Sequence, residues 1–206
     1  MERLIIIGAS GHGKVCADIA WLIGYRNIAF LDDNRNIHFC GEYEVIDTVS
    51  MFSKYIDNAD FFVAIGNSQV RQKIMEEIET VHGKIITLLH PYAVIAKDTS
   101  IGKGTAVMAG AVINSGANIG KGCIVNTGSS VDHDCVVGHY SHISVGSHLA
   151  GTVEVKEHVW VGIGAVVSNN LKIYDHVVIG AGAVVVKDIE EAGLYIGIPA
   201  KKRGQA

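Results

Sequence analysis

The chain is poor in proline, in aromatic residues and in charge of one sign. Its 206 residues include only 2 Pro and 7% aromatic side chains against 24 Gly, and the formal net charge is −4. A nucleic-acid surface needs clustered Lys and Arg, and the only such cluster is the tripeptide at 201–203. The composition argues against a nucleic-acid partner and favours tight turns packed on small aliphatic side chains.

Cysteine pairs and long apolar runs are also missing. None of the 4 Cys lies in a C-x-x-C pair, so neither a zinc knuckle nor a disulfide framework is indicated, and no metal is expected. No stretch approaches the ~20 consecutive apolar residues of a membrane helix. The apolar residues at 1–7 end at Gly8, too soon for a signal peptide. We therefore expect a reduced, cytoplasmic protein without membrane insertion.

The second half of the chain has a six-residue repeat. Starting at Ile95 and ending at Val185, sixteen positions spaced six residues apart are all Ile, Leu or Val. An α-helix has a period of 3.6 and a strand a period of two, so each hexapeptide is predicted to form one short strand with its aliphatic residue inward. Small residues and Gly recur where the corners would fall. Stacked coils would then bury a continuous aliphatic column.

Strands and helices alternate in the first half. The predicted strands are 3–7, 27–31, 60–65 and 84–88, and the predicted helices are 14–24 and 68–81. Ser68 is the predicted N-cap of the second helix. Such alternation indicates a parallel sheet with crossovers, whose ligands bind at the carboxyl ends of the strands. We therefore predict a Rossmann-like α/β half domain over 1–92 and a β-helix domain with a C-terminal tail over 93–206.

A glycine-rich turn follows the first predicted strand. Gly8, Gly11 and Gly13 stand in G-x-x-G-x-G order, which differs from the dinucleotide fingerprint. Such a turn offers backbone N–H groups and the positive end of a helix to phosphate, and Asp32 is placed to accept from a ribose hydroxyl. The spacing favours a mononucleotide or nucleotide sugar over NAD, although the glycines would equally serve a tight turn alone.

Three of the ten His lie within 130–146. His133 falls near a predicted corner and is followed by Asp134, a carboxylate that can orient an imidazole and raise its basicity. A His with an ordinary pKa of about 6.5 suits general-base work at neutral pH.

Together these motifs resemble the PglD/NeuD family of bacterial sugar acetyltransferases, whose second domain is a left-handed parallel β-helix of hexapeptide repeats. The resemblance rests on GASGHG after the first strand, FLDD after the second, AIGN after the third and DHDCVVGHYSHISVG in the repeat. It spans nearly the whole chain. It implies transfer of acetyl from acetyl-CoA to the 4-amino group of a UDP-linked 4-amino-4,6-dideoxy sugar. It also implies a homotrimer with active sites between subunits.

The same resemblance implies roles for individual residues. His133 is the general base and Asp134 its partner, at a position where the family often has Glu. In the acetyl-CoA site, His142 lies at the thioester, Gly151 and Ala181 beside the pantetheine, and Asn126 next to the base. The nucleotide-sugar site is implied at Ser10, Gly11, His12, Asp32, Asp33 and Gly66.

Alternative functions remain open from the sequence. The acceptor is alternatively another nucleotide-linked amino sugar, or a sialic-acid-like sugar that takes an O-acetyl group. A more remote alternative is a protein that binds a sugar nucleotide without turning it over. The zinc carbonic anhydrase built on the same prism is disfavoured, because the sequence has no His-x-x-x-x-His pair.

Overall fold

The computed structural model describes residues 3–204. The chain divides into two compact units, Met1–Pro91 and Tyr92–Ala206. The elements of the first unit are β1 (Arg3–Ile7), α1 (Gly11–Leu22), β2 (Asn27–Leu31), β3 (Phe39–Cys40), β4 (Tyr43–Asp47), a 3-10 helix (Val49–Tyr55), β5 (Ala59–Val63), α2 (Ser68–Thr80), β6 (Lys84–Ile85) and β7 (Leu88–Leu89).

The first unit is built around a mostly parallel sheet in the order β3-β4-β2-β1-β5-β6. Only the β3–β4 pair is antiparallel. Strand β1 lies at the centre, with Ile7 opposite both Leu31 of β2 and Val63 of β5. The last four residues of each of these three strands are buried, as expected for parallel strands covered on both faces. The carboxyl ends of these three neighbouring strands therefore lie side by side, at what is called here the carboxyl edge of the sheet.

The start of α1 and the N-cap of α2 differ from the prediction, whereas α2 begins at Ser68 as predicted. Helix α1 begins at Gly11 rather than at residue 14, and Lys14 N donates to Ser10 O at 3.0 Å to close its first turn. Asn67 rather than Ser68 is the N-cap of α2, because its side-chain oxygen accepts from two backbone N–H groups at 3.1 and 3.0 Å. An Asn at this position satisfies donors that the helix itself leaves free.

The second unit is a three-faced parallel β-helix. Its strands are β8 (Val94–Ile95), β9 (Ser100–Ile101), β10 (Ala106–Val107), β11 (Val112–Ile113), β12 (Asn118–Ile119), β13 (Ile124–Val125), β14 (Ser130–Val131), β15 (Val136–Val137), β16 (His142–Ile143), β17 (His148–Leu149), β18 (Glu154–Val155), β19 (Trp160–Val161), β20 (Val166–Val167), β21 (Lys172–Ile173), β22 (Val177–Ile179), β23 (Val184–Val185), β24 (Gly193–Ile196) and β25 (Lys201–Lys202). Ile95 pairs with Ile113 and Ile113 with Val131, so residues 18 apart (113 − 95) are stacked and three hexapeptides form one coil.

The aliphatic column is the core of this unit. From Val107 to Val185 every one of its members is buried, and Ile95 and Ile101 in the first coil are partly buried against them. The predicted fold class, a Rossmann-like half domain followed by a parallel β-helix, is confirmed. The six-residue period predicts this core because it returns the same side of the chain to the interior at every strand.

The prism has three faces, which meet at three corners. Face 1 contains β10, β13, β16, β19 and β22, face 2 contains β8, β11, β14, β17, β20 and β23, and face 3 contains β9, β12, β15, β18 and β21. Along the chain, corner A joins face 2 to face 3, corner B joins face 3 to face 1, and corner C joins face 1 to face 2. Residues with left-handed backbone recur at these corners every 18 residues.

Candidate functional site

His133 and Asp134 form a hydrogen-bonded pair at corner A. His133 Nδ1 lies 2.9 Å from Asp134 Oδ2, and the side chains are 58% and 65% exposed. Asp134 has a left-handed backbone at φ 58, and its carboxylate reaches the ring of the preceding residue. This bond raises the pKa of His133. With Nδ1–H donating to the carboxylate, Nε2 is the ring nitrogen that is left to accept a proton.

A second carboxylate fixes the backbone of His133. Asp132 Oδ1 accepts from His133 N at 2.8 Å and from Asn114 Nδ2 at 2.8 Å, and the bond from Asn114 holds the pKa of Asp132 below its usual range. On the other side, Thr152 N donates to His133 O at 2.9 Å. The base is therefore held by three consecutive coils. Asn114 and Asp132 were not predicted as site residues, although Asn114 lies 18 residues before Asp132 and the repeat therefore stacks them.

A groove of about 380 Å³ lies along face 1. Three residues predicted for acetyl-CoA line it, namely Asn126, His142 and Ala181. Asn126 Nδ2 donates to His142 Nε2 at 3.0 Å. Most of the remaining lining is apolar or glycine, so the groove combines a long apolar wall with a few polar groups.

Trp160 and Ser144, which the sequence analysis missed, complete the polar end of this groove. The ring of His142 stacks on Trp160 with centroids 5.6 Å apart and planes at 15°. Trp160 Nε1 in turn donates to Ser144 Oγ at 2.7 Å. Trp160 stands 18 residues after His142, opposite it in the strand pairing, so the period itself is the signal that identifies it.

The structure separates the predicted acetyl-CoA residues within one chain. The groove with Asn126, His142 and Ala181 lies along face 1, whereas His133 occupies corner A, where faces 2 and 3 meet. Gly151 lies with the base: a Cβ added there would come within 2.4 Å of His133 Nε2. One chain therefore brings Gly151, but not the other three residues, to the imidazole.

The predicted nucleotide-sugar residues of the first unit follow its three central strands. Ser10, Gly11 and His12 open α1 after β1, Asp32 and Asp33 follow β2, and Gly66 follows β5. Because these strands are adjacent and parallel, all six residues lie at the carboxyl edge of the sheet.

Asp32 holds this edge together. Its carboxylate oxygens accept from Ala9 N at 2.7 Å and from Asn34 N at 2.8 Å, which ties the glycine turn to the end of β2. Asp33 Oδ1 accepts from Val49 N at 2.9 Å. A pocket of about 500 Å³, lined by Asp32 and Asn34 among others, opens beside this turn.

The three glycines of the turn differ in whether the structure leaves room for a side chain. Gly8 has φ +107, and an added Cβ would lie 2.8 Å from Ala64 O. At Gly13 an added Cβ would lie 2.1 Å from Gly8 O. At Gly11 it would meet nothing within 4 Å. The tight-turn interpretation therefore accounts for Gly8 and Gly13, whereas Gly11 presents open backbone at the start of the helix.

His12 and Arg71 also lie at the carboxyl edge of the sheet. Arg71 is 1% exposed, and its Nη1 donates to Ile65 O at 2.6 Å and to Gly66 O at 2.9 Å. Burial and the charge of Arg71 lower the pKa of His12 to about 4. His12 is therefore neutral at physiological pH, and the positive charge is carried by an arginine that the sequence analysis missed.

Neither a metal site nor a membrane span is found in the described part of the chain. Within residues 3–204, no three His, Cys, Asp or Glu side chains are arranged to hold a metal ion. No helix in the same range is sufficiently long and apolar to cross a bilayer. The cytoplasmic location stays a prediction.

A Rossmann-like unit joined to a β-helix of hexapeptides defines the class of hexapeptide-repeat acyltransferases. Residues 3–78 match the family model described as the PglD N-terminal domain. The acetyltransferase domain of PglB from Neisseria gonorrhoeae FA1090, solved with acetyl coenzyme A, is 38% identical over 98% of this chain and 99% of that chain, with a TM-score of 0.95. The chain belongs to the PglD/NeuD family of bacterial sugar acetyltransferases.

Two other relatives have descriptions that name a sugar nucleotide. PerB from Caulobacter crescentus, solved with CoA and GDP-perosamine, is 35% identical over 99% of this chain and 98% of that chain, with a TM-score of 0.91. UDP-N-acetylbacillosamine N-acetyltransferase of Bacillus subtilis (strain 168) is 34% identical over 113 residues. That match covers 53% of this chain and 52% of the relative, so it spans about half of each.

Proposed function

We propose that this protein transfers acetyl from acetyl-CoA to the 4-amino group of a UDP-linked 4-amino-4,6-dideoxy sugar, with His133 as the general base. The observation that carries the proposal is the 2.9 Å bond between His133 Nδ1 and Asp134 Oδ2. It is supported by the Bacillus relative, whose name specifies a UDP-sugar acceptor, and by the Neisseria relative, which was solved with acetyl coenzyme A.

The His133–Asp134 pair moves one proton. His133 Nε2 takes the proton from the acceptor nitrogen as that nitrogen attacks the thioester carbonyl carbon. The carbon–nitrogen bond forms, the carbon–sulfur bond breaks, and the coenzyme leaves as a thiolate that takes the proton back from the His133 imidazolium. Asp134 keeps Nδ1–H as a donor and stabilises the imidazolium that forms.

The face 1 groove is the proposed acetyl-CoA site. Its apolar wall, with Ala181 at the surface, suits the pantetheine arm, and the Asn126–His142 pair offers polar contact near the thioester. Gly151, whose backbone lies beside the imidazole, is assigned to the same pantetheine from the opposite side. Coenzyme A supplies the activated acyl group when it is bound, so the chain itself needs no acyl-carrying Ser or Cys.

Because the base and the groove lie on different sides of the prism, we assign the complete site to two copies of the chain in a homotrimer. Corner A of one copy would face the groove of the next, a heterologous contact that closes into a ring. The test mixes His133→Ala, which lacks the base, with Ala181→Trp, which fills the groove. Random mixing should restore about a quarter of the sites, whereas a site within one chain would give no recovery.

The carboxyl edge of the sheet in the first unit is the proposed nucleotide-sugar site. Ser10 and the open backbone of Gly11 present the positive end of α1 to phosphate. Asp32 and Asp33 are placed for ribose hydroxyls, and His12 and Gly66 lie beside them. Arg71 adds a fixed positive charge beneath the site, where little water screens it.

The deciding assay is thiol release from acetyl-CoA with and without the UDP-4-amino-4,6-dideoxy sugar. We expect release only with the acceptor, and a loss of at least 10²-fold, the scale of general-base catalysis, in His133→Ala. His176→Ala, at an exposed corner away from the pair, is the matched control and should retain activity. Near-normal turnover in His133→Ala would refute the assignment of the base.

The same assay separates the remaining acceptors. Release with a GDP-linked or other nucleotide-linked amino sugar, the kind of ligand in the Caulobacter structure, would keep the chemistry and change the nucleotide. Release with a sialic-acid-like sugar would indicate O-acetylation. Binding of sugar nucleotides with no release would favour the non-catalytic protein.

A further inference from the structure

The His133–Asp134 pair lies between two glycines from neighbouring coils. Gly116 is one coil before Asp134 (134 − 116 = 18), and a Cβ added there would lie 2.4 Å from Asp134 Oδ1. Gly151 is one coil after His133 (151 − 133 = 18), and a Cβ added there would lie 2.4 Å from His133 Nε2. The space that the pair occupies therefore exists because both neighbours lack side chains.

Backbone conformation alone does not explain a glycine at 116. Gly116 has φ +74, but the equivalent corner A position in the next three coils holds Asp134, Thr152 and Asn170 at φ 58, 59 and 60. Corner A thus accepts residues with side chains in the left-handed conformation. What distinguishes position 116 is the carboxylate that lies against it.

We propose that Gly116 is a positioning residue for the catalytic base, because its missing side chain leaves the space in which the Asp134 carboxylate reaches His133. The inference rests on the proposed function, in which His133 is the base. A methyl group at 116 would meet Oδ1, the end of a flexible side chain, so the carboxylate would rotate away while the coil stays intact. His133 Nδ1 would then lose its acceptor, and the imidazole its fixed orientation.

Loss of the His133–Asp134 hydrogen bond should lower the pKa of His133. The bond from Asp134 raises the pKa of His133, with the charges of Asp132 and Asp134 acting in the same sense. Two coils before Asp134, the same corner holds Asp98, whose Oδ2 accepts from Ser115 Oγ; the next coil presents the neutral Thr152. Because a base works only when deprotonated, a lower pKa moves the acid limb of kcat/KM to lower pH.

The experiment compares Gly116→Ala with Gly110→Ala. Gly110 has φ +67, and its added Cβ would lie 3.9 Å from Gly128 N, an ordinary contact, so this control carries the same backbone strain without a clash. We expect Gly116→Ala to lose about 10- to 100-fold in kcat/KM, the scale of a misplaced catalytic group, and to shift its acid limb to lower pH. Asp134→Asn should behave in the same way, and the double variant should lose no more than either single variant.

A second variant and a direct titration cover the case in which Gly116→Ala folds poorly. Gly116→Asn introduces the residue type that corner A already holds at 170, and NMR titration of the His133 ring measures its pKa without turnover. Equal activity, acid limb and His133 pKa in the 116 and 110 variants would overturn the inference. If His133→Ala itself stays active, the proposed base is wrong; if only the 116 variants behave normally, the positioning role alone fails.

Discussion

His12 makes the stability of the first unit depend on pH in a way that one substitution should remove. Its pKa is lowered to about 4 from 6.5 by burial and by Arg71. Below pH 6.5 the unfolded chain binds a proton that the folded chain refuses, so stability is full above pH 6.5 and falls as the pH falls toward 4. For these two values the linkage relation gives a loss of about 2 kcal/mol between pH 7.5 and pH 5.

His12→Gln keeps a polar side chain and removes the titration. The difference in unfolding free energy between pH 7.5 and pH 5 should therefore be about 2 kcal/mol smaller in the variant than in its parent. Urea titrations followed by Trp21 fluorescence in a Trp160→Phe background report the first unit alone, which avoids treating a two-unit chain as one transition. His38→Gln, an exposed histidine of the same unit, is the control and should keep the parent's dependence.

The comparison isolates one group, because the carboxylates that also titrate in this range are shared by parent and variant. Identical pH dependences in His12→Gln and its parent would show that the imidazole is not held neutral, and the reasoning from burial and Arg71 would be refuted. The same His12→Gln comparison can be made in an Arg71→Met background. If His12→Gln reduces the pH dependence of stability less in that background than in the parent, part of the lowering of the His12 pKa is due to the charge of Arg71.

Three further substitutions test other parts of the structure. Leu149→Ala, in the aliphatic column, should cost about 3–5 kcal/mol of unfolding free energy by Trp160 fluorescence, because the rigid coils cannot collapse on the cavity. Arg71→Leu leaves the carbonyls of Ile65 and Gly66 without their buried donor and should cost about 1–3 kcal/mol for each, followed by Trp21 fluorescence; Arg71→Lys should recover part of that cost. Trp160→Ala should raise the KM for acetyl-CoA about tenfold, since it removes an aromatic wall worth about 1 kcal/mol or more, and should leave the KM for the sugar unchanged.

The β-helix was predictable from sequence because its core is fixed by covalent spacing. A residue six positions on always reaches the next strand, so Ile95 to Val185 identify the interior without knowledge of long-range contacts. The corner position of His133 followed in the same way. The resemblance implied active sites between subunits, but which of the acetyl-CoA residues lie with His133 and which lie on another side of the prism required the structure.

The first unit was predicted less well, for three physical reasons. Gly11 and Gly13 disfavour a helix by propensity, yet α1 includes both, and at position 13 an added Cβ would lie 2.1 Å from Gly8 O, so a glycine is required there. Strand β3 has only two residues, and none of the five residues of β4 is fully buried, so neither strand gives a clear hydrophobic pattern. Arg71 was not predicted, because an arginine is rarely fully buried. Its spacing from Ile74, Met75 and Ile78, which are buried on the same side of α2, was the available signal.

The corners show how the scaffold and the chemistry are kept apart. Corner C has glycine at all five left-handed positions from 110 to 182, corner B stacks Tyr140, His158 and His176, and corner A holds the His133–Asp134 pair. The inward column beneath them is aliphatic throughout, so a corner can change chemistry without changing the core. Because coils stack at 18 residues, a corner substitution is judged by its neighbours 18 positions before and after it. By that criterion a side chain at 116 acts on Asp134, and one at 151 acts on the base itself.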